Sequence, residues 1–96
     1  MGEFGRTPKI NNSAGRDHHG KAWSVVLAGA GIPGGRVMGA TDKHGDEITD
    51  FPVEPEDLLY SIYKLLGVDP RREYQTALGH PKKILDTGGL IPGLLA

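Results

Sequence analysis

The chain has 96 residues, a formal net charge of −1, no cysteine and 38% hydrophobic residues. This length holds one domain at most, the even charge balance lacks the basic excess of a nucleic-acid binder, and the missing cysteines exclude disulfides and thiolate zinc sites. No run approaches the ~20 apolar residues of a membrane-spanning helix, and no apolar signal-peptide core opens the chain; an exported, periplasmic parent would carry that signal on other sequence.

Glycine accounts for 15 residues, about double the usual share of ~7%. The glycines punctuate apolar segments, so they mark tight turns and close backbone approach, not low complexity. Residues 1–22 read as loop, with turn chemistry at Asn11-Asn12-Ser13-Ala14-Gly15. Residues 23–28 (Trp-Ser-Val-Val-Leu-Ala) are apolar and rich in β-branched side chains. They do not alternate with polar residues, which predicts a buried strand, most simply a central one in a parallel sheet. A turn-rich stretch follows at 29–35, then a second short strand at 36–40. Residues 41–52 read as a charged surface loop with a turn at His44-Gly45-Asp46.

Residues 55–66 carry the clearest helix signal. Pro55 suits the first helical position, and Glu56 and Asp57 suit the positive end of the helix dipole. Leu58, Ile62, Leu65 and Leu66 share a face that Leu59 and Tyr63 widen. Gly67 ends the helix and Pro70 prevents its return. A short helical turn is expected within 71–79 and a small edge strand at 82–85. The apolar tail at 88–95 is expected to lie against the body.

Two places invite chemistry. Gly29-Ala30-Gly31-Ile32-Pro33-Gly34 matches the glycine pattern of a dinucleotide site, with Asp50 at a suitable distance for a ribose. The match fails in context, because no amphipathic helix opens at Gly34 to receive a pyrophosphate. The other place is the polar, glycine-spaced opening of the chain. Asp17, His18 and His19 are standard zinc, manganese or iron ligand types. Adjacent residues rarely face the same way, so only one of the two histidines is expected to point inward. Glu3 and Arg6 form either a surface ion pair or part of a site, and Arg6 and Arg16 have the forked donors that grip oxyanions. The plain alternative is a solvated polar loop. Asn11-Asn12-Ser13 also fits a glycosylation sequon, and His44 and His80 sit in turns facing solvent.

Together these strings resemble a known family. Gly2-Glu3-Phe4-Gly5-Arg6-Thr7-Pro8, then Gly15-Arg16-Asp17-His18, then the run Ser-Val-Val-Leu-Ala-Gly-Ala-Gly-Ile-Pro-Gly-Gly at 24–35 are similar to the C-terminal part of the bacterial family DUF1501. The resemblance implies membership of the alkaline phosphatase and sulfatase superfamily. Val53-Glu54-Pro55-Glu56-Asp57-Leu58, the stretch from Ile62 to Pro70, and Leu78-Gly79-His80-Pro81 fit the same pattern.

The resemblance implies an α/β fold: a partial alkaline phosphatase-like sandwich with a few short, mostly parallel strands, one main helix and long glycine-rich loops. It implies a single segment, 1–96, of a metal-dependent hydrolase-like protein acting on phosphate or sulfate esters and inactive alone. Glu3, Asp17 and His18 would hold a divalent metal (zinc, manganese or calcium), with Asp17 either a ligand or the group that orients His18. Arg6 and Arg16 would bind the anionic group. His19 stands where relatives carry a bulky aromatic. The implied partners are a missing N-terminal part or a second copy, and an anionic small-molecule ester. The alternative is a non-catalytic binding or scaffolding module of the same fold.

Overall fold

The run beginning at Pro55 forms α1 (Pro55–Leu65), the only helix among the described residues of this computed structural model, which describes residues 1–95. Both of its ends are closed by the residues that the sequence places there. The Glu54 side chain accepts the Asp57 amide, and the Asp57 carboxylate accepts the Glu54 amide at 3.0 Å, a reciprocal capping box. Gly67 takes φ +80°. Its N–H donates to the Lys64 carbonyl and that of Val68 to the Tyr63 carbonyl, the paired bonds of a Schellman end.

The strands correct the expected fold class. There is no mostly parallel sheet: the described residues form three two-stranded sheets, all antiparallel. The pairs are β1 (Gly5–Arg6) with β2 (His18–His19), β3 (Ala40–Thr41) with β4 (Ile48–Asp50), and β5 (Glu73–Gln75) with β6 (Pro81–Lys83). Antiparallel neighbours need only a turn, whereas parallel ones need a crossover of a dozen or more residues, usually helical. The single helix stands between β4 and β5, which do not pair. The sandwich inferred from resemblance therefore does not describe this chain. Residues 23–28 lie in no ladder, and the strand expected at 36–40 is reduced to β3 at its far end. Within 71–79 the chain forms β5 in place of a helical turn.

The contacts divide the described residues into two units, residues 1–28 with 34–52, and residues 29–33 with 53–95. In the first, β1 and β2 are held in the register Gly5↔His19 and Arg6↔His18. The intervening loop closes through Thr7 N–H to the Asp17 carbonyl at 3.0 Å and Asp17 N–H to Thr7 Oγ1 at 3.1 Å. Gly5 is required here: a Cβ on it would stand 2.5 Å from the Ala22 carbonyl oxygen and 2.9 Å from Trp23 Cβ. The β3–β4 hairpin turns on Asp42, whose carboxylate accepts the amides of His44, Asp46 and Glu47.

The second unit packs its tail on the helix. Leu58, Ile91 and Leu94 are buried, Ser61 is fully buried, and Pro70 is among the most enclosed side chains. The tail expected to lie against the body does so through Gly89 N–H to Asp57 Oδ1 at 3.0 Å and Ile91 N–H to Ser61 Oγ at 2.9 Å. In the β5–β6 hairpin, Gly79 N–H bonds to the Thr76 carbonyl and His80 N–H to Thr76 Oγ1.

Candidate functional site

The β1–β2 ladder sets the geometry of the polar opening segment. Successive side chains on a strand point to opposite faces. Arg6 and His18 are cross-strand partners. The Phe4 ring lies against the His18 imidazole with centroids 3.9 Å apart and planes at 34°. The Arg6 guanidinium sits 5.6 Å from the Phe4 ring centroid. Phe4, Arg6 and His18 thus form one stacked cluster, in which Arg6 and His18 are exposed and Phe4 is half-buried.

His19 takes the opposite face and is buried. Its Nε2 lies 3.0 Å from the Asp46 backbone oxygen. A carbonyl only accepts, so Nε2 carries the proton. The Asp46 carboxylate is 3.5 Å from the same nitrogen. Lys21 bridges Glu47 at 3.0 Å and Asp46 at 3.8 Å. The Glu47 hydrogen bond is the main reason that the Lys21 ammonium titrates above its ordinary value, with the Asp46 charge second.

The other expected site residues are engaged locally. Arg16 donates from Nη1 to the Thr7 carbonyl at 2.9 Å and to the Pro8 carbonyl. Arg6 donates one bond from Nη1 to the Arg16 carbonyl at 3.2 Å. Asp17 Oδ1 accepts the Asn11 side-chain amide at 3.0 Å. Asp17 also helps line an open hollow of about 300 Å³ with Thr7, Lys9 and Asn11. Glu3 is exposed, two residues before the ladder.

Asp17 immediately precedes β2, and its carboxylate is engaged by Asn11 while the His18 ring stacks on Phe4. No group of three or more histidine, aspartate or glutamate side chains positioned for a metal occurs among the described residues. Glu3, Asp17 and His18 therefore do not assemble a three-ligand centre within this chain. A metal held here would take its remaining ligands from outside the described residues.

Comparison with known proteins bears on the same segment and on nearly all of the rest. The model of a family described as proteins of unknown function, DUF1501, matches residues 1–95. The chain belongs to that family. No curated protein and no solved structure matches it. In this DUF1501 chain, no helix among the described residues is long and apolar enough to cross a membrane.

Sequence reading did not find the role of Phe4 as the stacking partner of His18. The signal was there, since Phe4 lies one pleat from Arg6 once Arg6 and His18 are opposed. It also passed over the bond from His19 to the Asp46 carbonyl, for which no local signal exists.

Proposed function

We propose that this DUF1501 chain supplies one wall of a binding site for a phosphate or sulfate ester, in a hydrolase-like protein related to the alkaline phosphatases and sulfatases. The observation that carries this reading is the exposed pair Arg6 and His18, opposed across one ladder and backed by the Phe4 ring. A guanidinium has five N–H donors in a planar fork suited to tetrahedral oxyanions. Arg6 gives one bond to the Arg16 carbonyl, which fixes its position and leaves the other donors for a ligand. The His18 imidazole adds a ring N–H donor on the same face. Any divalent cation in such a site would draw its further ligands from outside the described residues. The motifs Gly2–Pro8 and Gly15–His18 support the link to the superfamily by resemblance.

The test is a titration with inorganic phosphate and inorganic sulfate, followed by the ring-proton shifts of His18 in NMR. Saturable shifts that vanish in Arg6→Ala are expected. Unchanged shifts at millimolar anion would overturn the reading. Supplying zinc or manganese in parallel, with Glu3→Ala and His18→Ala as controls, shows whether a cation takes part.

A second reading, a binding or scaffolding module without turnover, is favoured by Arg16. Its Nη1 is spent on the Thr7 and Pro8 carbonyls, so it braces the loop. Anion binding without hydrolysis of aryl phosphate or aryl sulfate esters would select this second reading over the first.

A further inference from the structure

The β5–β6 hairpin ends in an apolar tip. Gly79 N–H donates to the Thr76 carbonyl, and Gly79 takes φ +78°, so Ala77 and Leu78 stand at the centre of the loop that it closes. Such positions favour glycine, asparagine, aspartate, serine or proline. Leu78 stands there instead and is 83% exposed. The backbone of the turn gives no reason for a leucine.

Behind the tip the strands carry cations. Tyr74 and Lys82 are cross-strand partners, and the Arg72 guanidinium sits 5.3 Å from the Tyr74 ring centroid. Residues 70–85 hold four lysines and arginines against a single carboxylate, in a chain of net charge −1. That carboxylate, Glu73, stands opposite Lys83, and strand alternation puts this pair on the other face from Tyr74 and Lys82. Asp86 lies 3.6 Å from Lys82, in a pair exposed on both sides. Such a pair adds little stability in water and is readily exchanged.

We infer that this hairpin docks tip-first on an anionic lipid bilayer, with Leu78 entering the boundary between headgroups and acyl chains and Arg72 and Lys82 contacting the headgroup phosphates. The inference does not rest on the proposed anion site, which is built on β1 and β2.

The order of residues along the hairpin favours a bilayer over a soluble acidic partner. An acidic polypeptide or a nucleic acid would pair the cations and leave Leu78 in water. A bilayer meets both needs, since its surface attracts lysine and arginine and its interior takes the leucine. The depths also agree. At about 3.3 Å per residue, Tyr74 and Lys82 stand about 10–13 Å behind the tip. A leucine set about 5–10 Å deep therefore leaves them among the headgroups, where tyrosine is enriched. No carboxylate occurs from Tyr74 to Leu85 to oppose that approach.

Vesicle co-sedimentation of the full chain tests this, using phosphatidylcholine alone and phosphatidylcholine mixed with phosphatidylglycerol. Binding is expected only to the mixed vesicles and should weaken as salt rises. Leu78→Asn suits the turn and removes the apolar tip without adding charge, so it should weaken binding by about tenfold or more. Lys82→Ala should weaken it by about fivefold. Val37→Asn is the control, since Val37 is 95% exposed outside the hairpin, and it should bind like the wild type. The chain has no cysteine, so Leu78→Cys takes a single nitroxide label. On mixed vesicles that label should gain access to oxygen and lose access to a water-soluble relaxation agent. A protein that ignores mixed vesicles overturns the inference, and binding to soluble polyglutamate through Lys82 would then assign the face to an acidic polypeptide. Wild-type binding by Leu78→Asn, or a label that stays in water, overturns it by leaving the tip outside the bilayer. Equal binding to phosphatidylcholine alone overturns it by removing the role of charge.

Discussion

Ser61 joins the helix to the tail. Its hydroxyl accepts the Ile91 amide at 2.9 Å and donates to the Asp57 carbonyl one turn earlier at 2.8 Å. Asp57 in turn accepts the Gly89 amide through its side chain. One turn of α1 therefore anchors two amides of a segment some thirty residues further on. The tail's apolar side chains, Ile91 and Leu94, are buried by the same contact.

Replacing Ser61 with alanine leaves the Ile91 amide without its acceptor in a buried place. A buried donor stripped of its partner costs about 1–3 kcal/mol. Urea unfolding of Ser61→Ala should show a loss of that size. Hydrogen exchange should show the Ile91 amide opening before the amides of α1. A Ser61→Ala protein with wild-type exchange at Ile91 would show that the bond carries no stability.

Two glycines are fixed by close approach. A Cβ at Gly88 would lie 2.6 Å from the Glu56 carbonyl oxygen, and Gly88 also has φ +104°. At Gly5 the obstacle is the Ala22 carbonyl oxygen at 2.5 Å. Both obstacles are backbone, so the clash is relieved only by moving the chain. Overpacking of this kind costs about 1–3 kcal/mol. Gly5→Ala should lower the thermal midpoint and separate the Phe4 and His18 rings, seen as a loss of ring-current shift. Gly88→Ala should lower the midpoint too, but leave that ring-current signature intact.

The features that were legible in the sequence are the local ones. Pro55, Glu56, Asp57 and Gly67 all act within one turn of the helix ends, so the bounds of α1 can be read from its own residues, although the Glu54–Asp57 exchange is seen only in the structure. In the β5–β6 hairpin the edge strand expected at 82–85 overlaps β6 at Lys82 and Lys83, and only β5 departs from expectation, because Arg71, Arg72 and Glu73 are compatible with a helix. The turn at Thr76–Gly79 and the return of Pro81 decide otherwise. Residues 23–28 were read as a strand from composition alone. Composition gives the preference for a ladder but does not supply a partner, and the segment pairs with no strand among the described residues. In the candidate site, the alternation of His18 and His19 follows from chain geometry. Which of them turns inward depends on Asp46, which is 27 residues away. No spacing rule reaches that far.

Asp42 gives the β3–β4 hairpin a pH dependence. The Asp46 amide is the main cause holding its carboxyl below the ordinary 3.8, helped by the His44 and Glu47 amides and opposed by desolvation. A carboxyl depressed in the folded state stabilises above its unfolded value and loses that contribution as pH falls through the folded one. The wild-type hairpin should therefore loosen as pH falls below 3.8. Asp42→Asn should be less stable near neutrality and show a flatter acid limb in a thermal melt. Lys21 acts at the opposite end. Its raised value stabilises fully below the ordinary 10.5 and is lost as pH rises through the folded value. Lys21→Met should flatten the alkaline limb and leave the acid one unchanged.

Phe4 provides the sharpest test of the stacked cluster. Its ring touches His18 at 3.9 Å and lies under the Arg6 guanidinium at 5.6 Å. Contacts of these kinds are worth about 0.5–1.5 kcal/mol each. Leucine keeps the apolar bulk and removes the ring face. Phe4→Leu should therefore free the orientation of Arg6 and His18 and lower stability by about 0.5–1.5 kcal/mol, without unfolding the chain. In the proposed anion site, that freedom should weaken phosphate or sulfate binding by about two- to tenfold, since about 1.4 kcal/mol corresponds to a factor of ten. Calorimetric titration of the wild-type and Phe4→Leu proteins at matched ionic strength gives the comparison. Phe4→Tyr, which keeps the face, should bind like the wild type. Equal affinities for Phe4→Leu and wild type would show that the ring does not position Arg6 and His18 for an anion.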